Sequence, residues 1–195
     1  ITDREMLNVV TMVYGGLVNK NLVAKLQAVG VNALGLTGAD IDMIRSHKRP
    51  LKEGIDFGYV GDVDSANGNM LHTLVEAGIV PVMAPLTHDG NGNILNTNAD
   101  TIASETAKAL APYYDVTLMF CFEKKGVLSN PDDDDSVIPS ITPEEFKALV
   151  ADGTVAGGMI PKLENSFNAI EHGVKQVVIT IASSIDGKHG TILRG

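Results

Sequence analysis

The sequence has a single cysteine, Cys121, in 195 residues. An internal disulfide framework is thereby excluded, and a reducing cytoplasm suits such a chain. Basic residues are also few: 15 Lys and Arg against 24 Asp and Glu give a formal charge of −9. That balance argues against nucleic-acid binding, which needs a basic face for the phosphates. It leaves a nucleotide substrate open, because a small anion needs only local donors and usually a magnesium ion. No apolar run approaches the roughly 20 residues of a membrane-spanning helix. The opening Ile1-Thr2-Asp3 reads as a helix start, not a secretory leader. His47, His72, His88, His172 and His189 are scattered without metal-ligand spacing, so no zinc site is expected. A GxSxG elbow and a Ser-His-Asp pattern are both missing.

What is present is ordinary for a globular α/β protein: 44% hydrophobic and 20% charged residues. Cys121 lies in the apolar run Leu118-Met119-Phe120-Cys121-Phe122 and reads as a buried core thiol. Thr2-Asp3-Arg4-Glu5 has capping-box spacing with Thr2 as the cap, followed by Met6, Val9, Val10, Val13 and Leu17 at helical intervals. A second helical stretch from Asn21 ends at Gly30. Strands are expected over 31–36, 59–63, 79–85, 116–122, 174–182 and 190–193. Helices are expected over 65–77, 98–111, from Thr142, and from Gly158 to His172. The basic, Gly/Pro-punctuated segment 45–54 reads as a loop or an excursion hairpin, and Asp89-Gly90-Asn91-Gly92 as a hairpin turn. This alternation predicts a three-layer α/β/α sandwich with a mainly parallel central sheet, one domain over 1–195 with no linker.

Three segments carry candidate chemistry. Asn96-Thr97-Asn98-Ala99-Asp100 sets three polar side chains at a helix start, where free N–H groups favour an anion. Capping alone needs only one or two of them. In Gly157-Gly158-Met159-Ile160-Pro161-Lys162 the glycines permit close backbone approach, and a lysine near a helix N-terminus is unfavourable unless it meets phosphate. A solvated lysine on a helix face is the plainer alternative. Glu123-Lys124-Lys125-Gly126-Val127-Leu128 follows a strand, and ligands of open α/β sheets bind beyond the carboxyl ends of strands. An ordinary polar loop would read the same. The run Asp132 to Asp135 reads as a solvated acidic loop.

Together with Gly35-Leu36-Thr37-Gly38-Ala39-Asp40 and Gly58-Tyr59-Val60-Gly61-Asp62-Val63, the Asn96 and Gly157 segments resemble the N-acetylglutamate kinases of the amino-acid kinase superfamily. These enzymes phosphorylate the side-chain carboxylate of an N-acylated glutamate in arginine biosynthesis. The resemblance implies that Asn96 holds the substrate α-carboxylate, Asp100 organises lysines at the phosphoryl site, and Lys162 neutralises the phosphates of ATP. It implies that Glu123, Lys124, Lys125, Gly126, Val127 and Leu128, with the stretch Thr154 to Lys162 that holds Gly157, Gly158 and Met159, line the nucleotide. Residues 1–100 would then carry mostly the N-acylglutamate and dimer side and 101–195 mostly the ATP side, with Mg2+ bridging phosphates and a cytoplasmic homodimer as the assembly. The family's Lys-Gly-Gly strand, Gly-Gly-Gly loop and substrate arginine are not found, so the chain is expected to lack the N-terminal part of that fold and to turn over poorly alone. Alternatives are a carbamate, aspartate or uridylate kinase of the superfamily, an N-succinyl in place of the N-acetyl substrate, or a non-catalytic ligand-binding module.

Overall fold

The computed structural model describes all 195 residues. They divide into two compact units, Ile1–Leu110 and Ala111–Gly195.

The first unit opens with α1 (Arg4–Val10), which runs into a π-helical stretch, Thr11–Val18, and then α2 (Asn19–Ala28). Asp3, not Thr2, is the N-cap: its carboxylate accepts from the Met6 N–H at 2.8 Å. Thr2 is engaged elsewhere. Its N–H donates to Phe57 O (2.9 Å) and its carbonyl accepts from Tyr59 N–H (2.7 Å). Gly58 makes that bridge possible, because at its φ of +75° a Cβ would stand 2.1 Å from Thr2 O. The helical periodicity also points the other way from the sequence reading. Met6, Val9, Val13 and Leu17 are exposed, and Leu7 and Asn19 are the buried residues of the stretch. Asn19 reaches inward to donate to Val82 O at 2.8 Å.

Six strands follow: β1 (Ala33–Leu36), β2 (Ile44–Lys48), β3 (Gly61–Ala66), β4 (Val80–Met83), β5 (Leu86–His88) and β6 (Ile94–Asn96). Helix α3 (Gly68–Glu76) lies between β3 and β4, and α4 (Ala99–Leu110) closes the unit. β1 pairs in parallel with β4. The other four form a sheet in the order β3-β2-β5-β6, parallel between β2 and β5 and antiparallel in the two hairpins. Leu36, Met43, Ile44, Leu71 and Ile102 make the core between strands and helices.

The segment read as a basic loop or an excursion hairpin contains β2, which pairs antiparallel with β3, so the hairpin is the form it takes. In β2, Ile44 and Ser46 are buried while Arg45 and His47 face outward, the alternation of a half-buried strand. The outward side chains meet aspartates: Arg45 pairs with Asp42 (2.7 Å) and Arg49, just past the strand, with Asp62 (2.6 Å), while His47 Nδ1 is 2.6 Å from Asp64 Oδ1. Arg45 and then His88 hold the Asp42 carboxyl below the usual carboxylate range. These contacts fix a strained turn, since Ile41 and Asp42 have φ of 48° and 52°. A β-branched residue there is a steric outlier. Ile41 is 51% exposed and contributes little packing. Ile41→Gly is therefore expected to stabilise the protein by about 1 kcal/mol, read as a higher urea midpoint.

The second unit holds β7 (Thr117–Phe122), β8 (Ser140–Ile141), β9 (Gln176–Ile181) and β10 (Thr191–Leu193), with α5 (Pro143–Ala151) and α6 (Met159–Glu171). Its sheet order is β7-β9-β10-β8. β7 with β9 and β10 with β8 are parallel, and β9 with β10 antiparallel. Val177, Val178 and Ile179 are all 0% exposed, the continuous apolar run of a strand covered on both faces. β7 lies at the sheet edge. Leu118 and Phe120 point into the core and Cys121, on the alternate face, is exposed, so it is not the buried thiol its apolar neighbours suggested. Helix α5 begins with the expected capping box: Glu145 accepts from Thr142 N–H at 2.8 Å while Thr142 Oγ1 accepts from Glu145 N–H at 3.3 Å.

Candidate active site

In the first unit, β6 delivers Asn96 to the start of α4. Its backbone N–H donates to Tyr59 O at 2.8 Å, and its side-chain Nδ2 donates to Thr2 Oγ1 at 3.1 Å. One N–H of that amide is thus committed and the other is available to a carboxylate. Thr97 is buried, its hydroxyl 2.9 Å from that of Thr87 and 3.4 Å from Gly61 O. Gly61 is tight against this pair: a Cβ there would lie 2.7 Å from Thr97 Oγ1. Asn98 is the cap of α4, accepting from Thr101 N–H at 3.1 Å. The four polar residues are held in different ways. Asn98 caps and Thr97 locks the segment to the sheet, while Asn96 closes β6 and the half-buried Asp100 stands in the first turn of α4.

In the second unit a cavity of about 260 Å³ opens where β7 ends. Lys124, Gly126, Val127, Leu128 and Met159 line it, all residues singled out from the sequence. Phe122, Pro131, Gly153, Thr154 and Ala156 complete the wall. Glu123 is exposed, and Lys125 turns toward a different cavity with Lys188 and His189. Gly157 and Gly158 sit in sequence between two lining residues, Ala156 and Met159. No atom lies within 4 Å of a Cβ built on either glycine, so the backbone at the α6 N-terminus is open to a ligand. Gly157 has φ +56° and Gly158 is the N-cap of α6 without a side-chain cap bond. Unsatisfied N–H groups at such a start suit phosphate.

The main chain of this wall is tied down by Thr191, whose role lay outside the sequence reading. Fully buried at the start of β10, it accepts from Val127 N–H at 2.8 Å and donates to Ile138 O at 2.7 Å. Gly126 packs beneath it, where a Cβ would stand 2.8 Å from Thr191 Oγ1. Thr191→Val keeps the shape but strands both main-chain groups. It is expected to cost about 2–4 kcal/mol in urea unfolding.

Lys162 is the fourth residue of α6 and half-buried. Its Nζ lies 4.8 Å from the Phe120 ring centroid, so its stem runs toward β7. A cation at this end of a helix opposes the helix dipole. Along the helix it stands one turn on from the open Gly157-Gly158 backbone.

Comparison with known proteins bears on these sites. The chain matches the amino acid kinase family over residues 1–180. An acetylglutamate kinase from Phocaeicola vulgatus is 69% identical over 194 residues, 100% of this chain and 75% of the relative. A crystal structure from Streptococcus mutans superposes with a TM-score of 0.81 at 30% identity, covering 100% of this chain and 74% of that one. An N-acetylglutamate synthase from Neisseria gonorrhoeae, solved with coenzyme A and N-acetyl-glutamate, gives 0.85 at 19% identity, over 100% of this chain and 45% of that one. That last likeness concerns the fold alone. The alternating helices and mainly parallel strands described above are thus those of the amino acid kinase fold, and the chain belongs to the amino acid kinase family.

Proposed function

We propose that the chain is an ATP-dependent kinase that phosphorylates the side-chain carboxylate of N-acetyl-L-glutamate, a step of arginine biosynthesis. The observation that carries this reading is the 69% identity to an acetylglutamate kinase across the whole chain. The geometry supports it. An open glycine N-terminus with a lysine one turn along supplies donors and charge for phosphates, and the apolar cavity beyond β7 supplies a wall for a base.

In this mechanism a carboxylate oxygen of the acceptor attacks the γ-phosphorus in line. The new O–P bond forms as the bond to ADP breaks, giving an acyl phosphate. A carboxylate is already ionised at neutral pH, so no general base is required. Catalysis is then positioning and charge neutralisation. Lys162 would meet the charge moving onto the β,γ-bridge, and Asp100 would organise lysines at the phosphoryl site. Asn96 would hold the acceptor α-carboxylate with its second amide N–H. A magnesium ion arriving with ATP would supply further charge neutralisation at the phosphates.

We further propose a cytoplasmic homodimer. The N-terminal helical stretch supports it, because Met12 (65% exposed), Leu17 (63%) and Val18 (51%) with Met6, Val9 and Leu22 form an uncovered apolar face. A second copy of the chain would bury it. The reaction is tested by ADP release with N-acetyl-L-glutamate, N-succinyl-L-glutamate, aspartate and UMP as acceptors. Release with N-acetyl-L-glutamate supports the assignment, and release with aspartate or UMP alone refutes it.

A further inference from the structure

The hairpin after the nucleotide segment holds its own shape. Leu128 and Val137 bridge antiparallel, Ser129 N–H donates to Ser136 O at 2.9 Å, and Asn130 N–H donates to Ser136 Oγ at 3.0 Å. From its tip Pro131 reaches the cavity wall. Two ion pairs run from the same tip back to the segment leaving β7. Lys124 Nζ is 2.7 Å from Asp134 Oδ1, and Lys125 Nζ is 2.5 Å from Asp135 Oδ1. Pairing with Asp134 and Asp135 pushes both lysines above the usual ammonium range, and Lys124 holds Asp134 below the usual carboxylate range. The four-aspartate run is therefore not simply a solvated acidic loop. Two of its carboxylates are committed to lysines of the opposite arm, one of which lines the cavity. The lysine side chains are 46% and 54% exposed and their partners 64% and 86%, so water and salt reach both pairs.

We propose that Asp134 and Asp135 are positioning residues for the nucleotide, latching the Leu128–Val137 hairpin through Lys124 and Lys125 so that Pro131 stands against the bound nucleoside. The proposal rests on reading the cavity as the nucleotide site. It accounts for an acidic run beside a pocket for an anionic ligand, where uncompensated carboxylates would repel it. The latch is electrostatic and exposed, so it loosens as ionic strength rises.

Adenosine is the probe that isolates this effect, because it has no phosphate to attract the lysines directly. Its affinity for the whole chain is measured by ligand-observed NMR at about 0.02 M and about 0.5 M salt. The wild-type affinity is expected to fall about three- to tenfold at the higher salt, in line with the modest strength of exposed pairs. Asp134→Asn with Asp135→Asn is expected to show that loss already at low salt, with no further salt dependence. The charge swap Lys124→Asp with Asp134→Lys should recover the low-salt affinity that Lys124→Asp alone loses. Equal affinity of the Asn variant and the wild type overturns the latch, as does a swap that fails to recover binding, which would make Lys124 a direct contact. Failure of the wild type to bind adenosine and ATP at either salt refutes the nucleotide reading itself.

Discussion

Lys162→Ala is expected to lower kcat at least about a hundredfold while leaving the melting temperature nearly unchanged. Electrostatic groups that meet charge developing in the transition state contribute on that scale. The unchanged stability follows from position. Lys162 is the fourth residue of α6, at the end where a cation opposes the helix dipole, so removing it relieves a small unfavourable term. Its contact with the Phe120 ring at 4.8 Å is lost in exchange. A residue that costs activity without contributing stability is held for function. Lys162→Arg is not expected to rescue, because a planar fork does not reproduce a compact point charge. An equal loss of activity and stability would instead make Lys162 a structural residue of the β7 contact.

Gly190→Ala is expected to do the reverse, destabilising the protein by about 3 kcal/mol or more and weakening nucleotide binding as a consequence. At its φ of +112° a side chain is strained, and a Cβ would stand 2.3 Å from Ile179 O and 2.9 Å from Thr180 Cβ. Both belong to β9, the central strand, which cannot yield. The adjacent Thr191 must move instead, and with it the hydrogen bond to Val127 that fixes the cavity wall. Gly30→Ala is the comparison. Its φ is +81° but nothing lies within 4 Å of the added Cβ, so it is expected to cost only about 1 kcal/mol. Comparable urea midpoints for the two variants would remove the argument that close packing on β9 holds the wall.

Legibility in the sequence tracked the range of the interactions. The Thr142–Glu145 capping box, the β5–β6 hairpin turn and the β9 strand each rest on residue types within a few positions, and each is present in the structure. Thr2 was misread because its true partners, Phe57 and Tyr59, lie far along the chain and take its backbone from the helix. Cys121 looked buried because its neighbours are apolar, and only the strand order makes β7 an edge. Charge density left 45–54 open between a loop and a hairpin, and the alternation of β2 is visible once Arg45 and His47 are seen to meet aspartates.

The candidate site divides in the same way. Asn96 and Asp100 could be singled out because the α4 start carries more polar side chains than capping needs, the Gly157-Gly158 pair because it bares the backbone, and Lys162 because a cation there opposes the helix dipole. Pro131, Gly153 and Thr191 could not. Thr191 acts on Val127 across 64 positions, and Pro131 reaches the cavity on a hairpin tethered by ion pairs 10 residues apart in sequence. Pattern at short range carries none of that information.

The most direct test is a hydroxylamine trap for the acyl phosphate, on protein expressed from its complete reading frame with ATP, magnesium and N-acetyl-L-glutamate. The account predicts a γ-glutamyl hydroxamate product that forms only with ATP and is abolished by Lys162→Ala. No hydroxamate from N-acetyl-L-glutamate under conditions where the protein binds ATP would contradict it.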